Sequence, residues 1–214
     1  MNENSDESPA IRLTARGMKT RARIVAAAAD LMRVQGIGGT TLDDVIVASG
    51  VSKSQFYRHF EDKDALVRAV VTHVGEWVIA RETNMLGTVS TLAGLRRWRD
   101  SLVKANALRH GMYGCALGSL AAEVSDYDTV ARNVLDELFG AWQRLIDEAL
   151  GRMKRAGVLD ESVDTARLAV GFLASLQGGY LLAQTARDIE PMAIAIDVAL
   201  AHLESLATAG RAAS

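Results

Sequence analysis

The sequence predicts an all-α protein, and three observations carry that reading. Only two prolines interrupt 214 residues that are 49% hydrophobic. Apolar side chains recur at three- and four-residue spacing, and the breaks between such stretches carry helix-capping residues. The length and apolar content are enough for a sizeable core in one or two domains.

Taken in order, residues 1–17 are polar, include Pro9 and show no period, which predicts a mobile tail with Arg12 and Arg16 near its end. A first helix is expected from Lys19 to Gln35, with Ile24, Ala28, Leu31 and Met32 facing inward and Gly36 ending it. Thr41 caps a short second helix, because Asp44 three residues later completes a capping box and Leu42, Val45 and Ile46 form one apolar face. Gly50 permits a sharp reversal, and Val51 plugs the angle behind it. Ser52 and Gln55 form a second box, which starts a helix over Lys53 to Phe60. That helix has little core of its own: Phe56 and Phe60 share a face, while Lys53, Ser54, Gln55, Tyr57, Arg58 and His59 are left to point outward. A short capped helix, a glycine turn and a polar capped helix make a helix-turn-helix, a shape that suits the DNA major groove.

A fourth helix, capped by Asp62, is expected to reach Met85 through Leu66, Val70, Val74, Trp77 and Val78, with Gly87 and polar residues marking the next break. Further helices are expected over Thr91–Arg109, Ala116–Val124, Asp128–Ala156, Asp164–Arg187 and Pro191–Ala207, on the start signals Asp164 and Pro191 and the stop Gly157.

The net charge of −2 looks unsuited to a nucleic-acid binder until it is divided along the chain. Residues 12–68 hold ten Lys and Arg against six Asp and Glu, so positive charge concentrates on the motif segment. One cysteine, Cys115, excludes an internal disulfide and fits a reducing cytoplasm; packing is its expected role. The polar, acidic opening residues do not read as a signal peptide. Leu168 to Ala186 carries no charge, yet its glycines and polar side chains make it a buried helix rather than a membrane span. No metal-ligand spacing, nucleophile elbow or phosphate loop is present, so neither a cofactor nor catalysis is expected.

The run G-V-S-K-x-x-x-Y-x-H-F followed by D-K-D-A-L resembles the DNA-binding domain of the tetracycline-repressor (TetR) family of bacterial regulators, over about Thr20 to Val70. Carried over by position, the resemblance implies that Ser52, Lys53, Ser54, Gln55, Tyr57 and His59 meet DNA on the recognition helix, with Thr41 and Lys63 holding phosphates at the flanking helix starts. Ile46 and Ser54 depart from the usual alanine and glycine. The implied organisation is a tail over 1–17, a helix-turn-helix DNA-binding domain over 18–66 and a ligand-binding and dimerisation domain over 67–214.

In the second half, Trp77, Trp98, Met112, Tyr113, Leu117, Phe139, Trp142 and Gln177 are expected to line a mainly apolar small-molecule pocket. Leu168, Ala174, Gly178, Leu182, Ile194, Val198 and Ala201 give the last two helices an apolar surface that pairs with a second copy in a four-helix bundle. The expected protein is a cytoplasmic homodimer that binds double-stranded operator DNA and answers to a small-molecule effector, with the fourth helix as its lever. A helical protein-interaction adaptor would explain the last two helices but not the motif.

Overall fold

The computed structural model describes residues 14–207 and is built of helices α1 Ala15–Gly39, α2 Leu42–Ser49, α3 Lys53–Tyr57, α4 Lys63–Leu86, α5 Leu92–Ala107, α6 Ala116–Val124, α7 Thr129–Arg155, α8 Thr165–Ala186 and α9 Glu190–Ser205. Residues 1–13 of the expected tail, Arg12 among them, lie outside the described residues; Thr14 caps α1, whose helix begins four residues before Lys19. Among the described residues no sheet forms, and an antiparallel bridge pairs Leu159 with Ala207.

Local chemistry sets the helix starts. Thr14, Thr41, Ser52, Asp62, Thr91, Asp128 and Asp164 each accept a backbone N–H of the first turn with a side-chain oxygen. Both capping boxes are complete, since Asp44 and Gln55 reach back to the N–H of Thr41 and Ser52. Gly36 sits at φ 77°, ψ 168° inside α1 and breaks it where a stop was expected. Gly50 ends α2 in the left-handed region, at φ 62°, ψ 34°. The recognition helix α3 is shorter than expected, ending at Tyr57, although Phe56 and Phe60 are both buried.

Two packed units share α4. Its first half packs against α1, with Leu66, Val67, Val70 and Val71 buried beside Ile24, Val25, Ala28 and Met32. Its whole length lies along α7, and the two helices run in the same direction, pinned at three levels. Near the start, the Arg68 Nε donates to Asp128 at 2.8 Å. In the middle, Gly75 comes so close that a Cβ there would overlap the Leu138 side chain. At the end, Arg152 donates to the carbonyls of Leu86 (2.6 Å) and Val89 (2.9 Å), satisfying acceptors left over by the helix terminus.

Helices α8 and α9 pack antiparallel through Gly179, where an added Cβ would meet Ala195 Cβ and the Met192 Cα at 3.0 Å. Gly179 therefore serves a contact within the chain. Helix α8 is long and apolar enough to cross a membrane, with a mean hydropathy of 1.2, but it packs on α7 and α9 through Phe172, Leu173, Leu176 and Tyr180.

Glu82 is a fully buried carboxylate on α4, tied to the adjacent Arg81 (Nε 2.8 Å) and to the Trp98 Nε1 of α5 (2.8 Å). A buried charge is tolerable only while such partners remain. Glu82→Ala should therefore lower unfolding stability by about 3 kcal/mol, whereas a change at exposed Glu76 should stay within about 0.5 kcal/mol. Chemical denaturation of the two variants checks this.

Candidate nucleic-acid interface and effector region

The helix-turn-helix presents α3 outward. Lys53, Ser54, Tyr57 and Arg58 are exposed, while Phe56 is fully buried, stacks edge-on against Tyr57 (5.4 Å) and holds Phe60 at 5.8 Å. Arg21 of α1 lies over the Phe60 ring at 5.0 Å, which seats α1 on the end of the recognition segment. Lys53 Nζ stands 3.6 Å from Asp43 of α2, a loose exposed pair that leaves the ammonium available.

The expected DNA-contact residues differ in how free their atoms are. The Gln55 Oε1 accepts the Ser52 N–H at 2.9 Å, and the Ser52 Oγ accepts the Gln55 N–H at 3.2 Å. The carbonyl that a bidentate glutamine–adenine contact would use is thus turned back onto the helix start. The Thr41 hydroxyl is engaged in the same way, donating to Asp44 Oδ2 at 2.6 Å, and that bond with the Thr41 N–H holds the Asp44 carboxyl below the usual carboxylate range. Lys63 occupies the first turn of α4, where its charge adds to the positive helix end. His59 is half-buried, with its Nδ1 enclosed and without a hydrogen-bond partner. Burial, helped by the charges of Arg58 and Arg21, lowers its pKa, so its imidazole is neutral at neutral pH.

The residues expected to form one ligand pocket fall into two places. Trp98, Leu117 and Trp142 are packed core. Trp98 stacks on Phe172 at 5.6 Å, and the enclosed Trp142 Nε1 has no partner. Gln177 borders this interior: its Oε1 would lie 2.8 Å from a Cβ at Gly118, and its enclosed Nε2 has no hydrogen-bond partner. Gly114, just before α6, similarly faces the Gln184 side chain of α8, where an added Cβ would lie 2.5 Å from its Oε1. Met112 and Phe139 are half-buried. Trp77 and Tyr113 lie elsewhere, on the wall of a cavity of about 350 Å³ between α1, α4, α6 and the loop after α5. Trp77 is 55% exposed.

Cys115 is buried at the N-cap of α6. Burial pushes its thiol up, against opposing contacts from the Gly118 N–H, the Gln177 side chain and the Leu117 N–H. It is therefore the protonated and less nucleophilic form at neutral pH.

Sequence reasoning missed the contacts that join the two units. Glu123, at the end of α6, accepts the Ile37 N–H at 2.7 Å and lies 3.4 Å from the Gly38 N, just past the break at Gly36. Arg33 of α1 sits over the Tyr113 ring at 4.9 Å. With Arg68–Asp128, these contacts span 60 to 86 residues of sequence, a separation at which spacing and periodicity carry no signal.

Comparison with known proteins agrees with this architecture. Residues 24–70 match the model for bacterial regulatory proteins of the tetR family, and residues 91–198 match that for the LmrA/YxaF-like transcriptional regulator C-terminal domain. The chain is 28% identical over 193 residues to an uncharacterized HTH-type transcriptional regulator in the lacX 3′ region of Lactococcus lactis, covering 87% of this chain and 94% of that one. It is 26% identical to the HTH-type transcriptional regulator LmrA of Bacillus subtilis, covering 81% and 90%. Among solved structures, a TetR transcriptional regulator from Chloroflexus aurantiacus superposes with a TM-score of 0.79 at 26% identity, covering 91% and 98%. Regulatory protein TetR from Rhodobacter sphaeroides, at 22% identity and a TM-score of 0.76, shares the fold over 86% and 98%. An outward-facing, doubly capped reader on an all-helical C-terminal unit, matched by both domain models, makes this chain a DNA-binding transcriptional regulator of the TetR family and not an enzyme.

Proposed function

We propose that the chain is a ligand-responsive repressor that acts in the cytoplasm as a homodimer and leaves an inverted-repeat operator when a small molecule binds its C-terminal unit. The observation that carries this reading is the exposed polar face of α3 in a unit joined to the second unit by Glu123. The relative DhaR of a Mycobacterium species, 24% identical, is described as an HTH-type transcriptional repressor, which favours repression over activation here.

Dimerisation is supported by the surface of α8 and α9. Leu182, Ile194 and Val198 are all half or more exposed, together with Val170 and Leu181, although each is strongly apolar. Gly171 and Gly178 have no atom within 4 Å of an added Cβ, and Ala174 between them is exposed, so a second helix can approach closely. Leu168 lines a neighbouring groove of about 620 Å³ with Val198, Gly171 and His202, and Ala201 is exposed beside it. Two-fold pairing would set two recognition helices about 34 Å apart, or a multiple, along one face of a duplex.

DNA contact divides by the freedom of each side chain. In this reading Lys53, Ser54 and Tyr57 meet bases, Lys63 holds a phosphate, and Thr41, Ser52 and Gln55 keep the helix starts rigid for backbone contacts. His59 would present its outer edge as a neutral group.

The pins between α4 and α7 bear on how release occurs. The sequence had marked α4 as the lever, but a helix fixed along α7 at Arg68, Gly75 and Leu86 tilts only if α7 moves with it. Helix α6 is the shorter route, since Glu123 holds the α1 break directly.

Gel-shift titration against the chain's own upstream DNA, with unrelated competitor at two salt concentrations, tests the reading; no selective shift would overturn it. Lys63→Ala should weaken binding on every sequence and flatten the salt slope by about one unit. Ser54→Ala should change operator preference by about 1–3 kcal/mol per lost base contact, whereas Gln55→Ala should lower affinity evenly through loss of its cap.

Leu182→Glu should give monomers in light scattering and lose tight operator binding. Glu123→Ala should broaden or split the calorimetric unfolding transition relative to the parent protein, because α1 loses its hydrogen bond to α6 at a cost of about 1–3 kcal/mol.

A further inference from the structure

The 350 Å³ cavity between the two units has the makeup of a binding site distinct from the packed aromatic core. Its size falls at the low end of small-molecule sites, about 300–1,000 Å³, so one ring or a fused pair would fill it. The floor is apolar, formed by Met32, Val70, Val74 and Leu120, and the walls carry Trp77 and Tyr113.

Its two carboxylates and two arginines balance in number, and they differ in which are already engaged. Of its two carboxylates, Asp30 lies 3.8 Å from Arg33, and Glu123 is committed to the backbone of α1. Arg109 has no carboxylate partner among the described residues, so its guanidinium is left over. An arginine already lies over each aromatic ring, Arg33 at 4.9 Å from Tyr113 and Arg81 at 5.1 Å from Trp77, so a cationic ligand would meet like charge.

The wall that carries Tyr113 is held in an unfavourable backbone form. His110, Gly111, Tyr113 and Gly114 all have positive φ (49°, 68°, 71° and 55°). For His110 and Tyr113 that conformation costs energy, and such strain gathers where side chains must be placed for a ligand or a switch. Its effect here is to put the Tyr113 ring on Arg33 of α1, while the Ser119 hydroxyl donates to the Tyr113 carbonyl at 3.3 Å.

We infer that this junction cavity binds a flat aromatic carboxylate, with Arg109 taking the carboxylate and Trp77 and Tyr113 the ring. The inference rests on the ligand-responsive reading above and gives it a site and a ligand class. Because Arg33 and Glu123 line the same cavity and both hold α1, occupancy biases the position of the DNA-reading unit. The ligand shifts that equilibrium only by its difference in affinity for the two positions.

The test uses the full-length protein and 1-naphthoate, followed by calorimetry and tryptophan fluorescence, with 1-naphthylmethanol and 1-naphthylmethylammonium as neutral and cationic comparators. The expected result is naphthoate binding that quenches Trp77, weakens at least about tenfold in Arg109→Gln, and is at least about tenfold stronger than that of either comparator. In Trp77→Phe the quenching should vanish while calorimetric binding persists. Absence of binding at about 1 mM, equal binding of the comparators, or undiminished binding in Arg109→Gln would overturn the assignment. Operator gel shifts on the same preparations separate the two readings: a selective shift that naphthoate leaves unchanged sinks the cavity's role alone, whereas no selective shift without ligand sinks the regulator reading itself.

Discussion

The pairing of α4 with α7 is the constraint on which the rest of the structure depends. Arg68–Asp128, the close approach at Gly75 and the Arg152 bonds to the end of α4 hold two parallel helices in one register. Around that frame Glu82 can stay buried, because Arg81 and Trp98 are held where they hydrogen-bond it. The DNA-reading unit is built on the near half of α4 and the α8–α9 surface lies across the other side of α7, so both take their positions from the same pair.

The helix-turn-helix was legible in the sequence because its determinants are local. Capping boxes act over three residues, and a left-handed glycine ends α2 without help from the rest of the chain. The length of α3 was overestimated because Phe60, buried as expected, is reached through a turn after Tyr57 and not along a continued helix. The role of Gln55 was legible only in part. The same residue type serves as a cap partner and as a base reader, and the hydrogen bond to the Ser52 N–H shows that the cap has taken its carbonyl.

The interior of the second half was less legible, for a physical reason. Aromatic residues at helical spacing mark apolar surroundings but do not distinguish a filled core from a lined cavity. Trp98 and Trp142 fill space completely, whereas Trp77 stands half in solvent. What separates them is three-dimensional: the strained loop around Tyr113, an uncompensated arginine and the face of α1 that closes the cavity. None of these contacts lies within one helical turn of its partner.

Ligand control of the kind proposed above needs one joint that is strong enough to position the reader and weak enough to be shifted by a ligand. Moving α4 alone would disturb three separate contacts with α7 and the buried Glu82. The joint at Glu123 has the right character. It consists of one carboxylate on a nine-residue helix meeting a backbone N–H just past a glycine break, at the edge of a cavity. A single such bond contributes about 1–3 kcal/mol, the same range as typical coupling between two binding sites. The Gly36 break lets the chain beyond it turn without unwinding α1, because glycine enters positive φ at little cost. Under the ligand-responsive reading proposed above, the joint between α6 and α1 is therefore the contact a ligand would shift, and the α4–α7 frame is the part that would stay fixed.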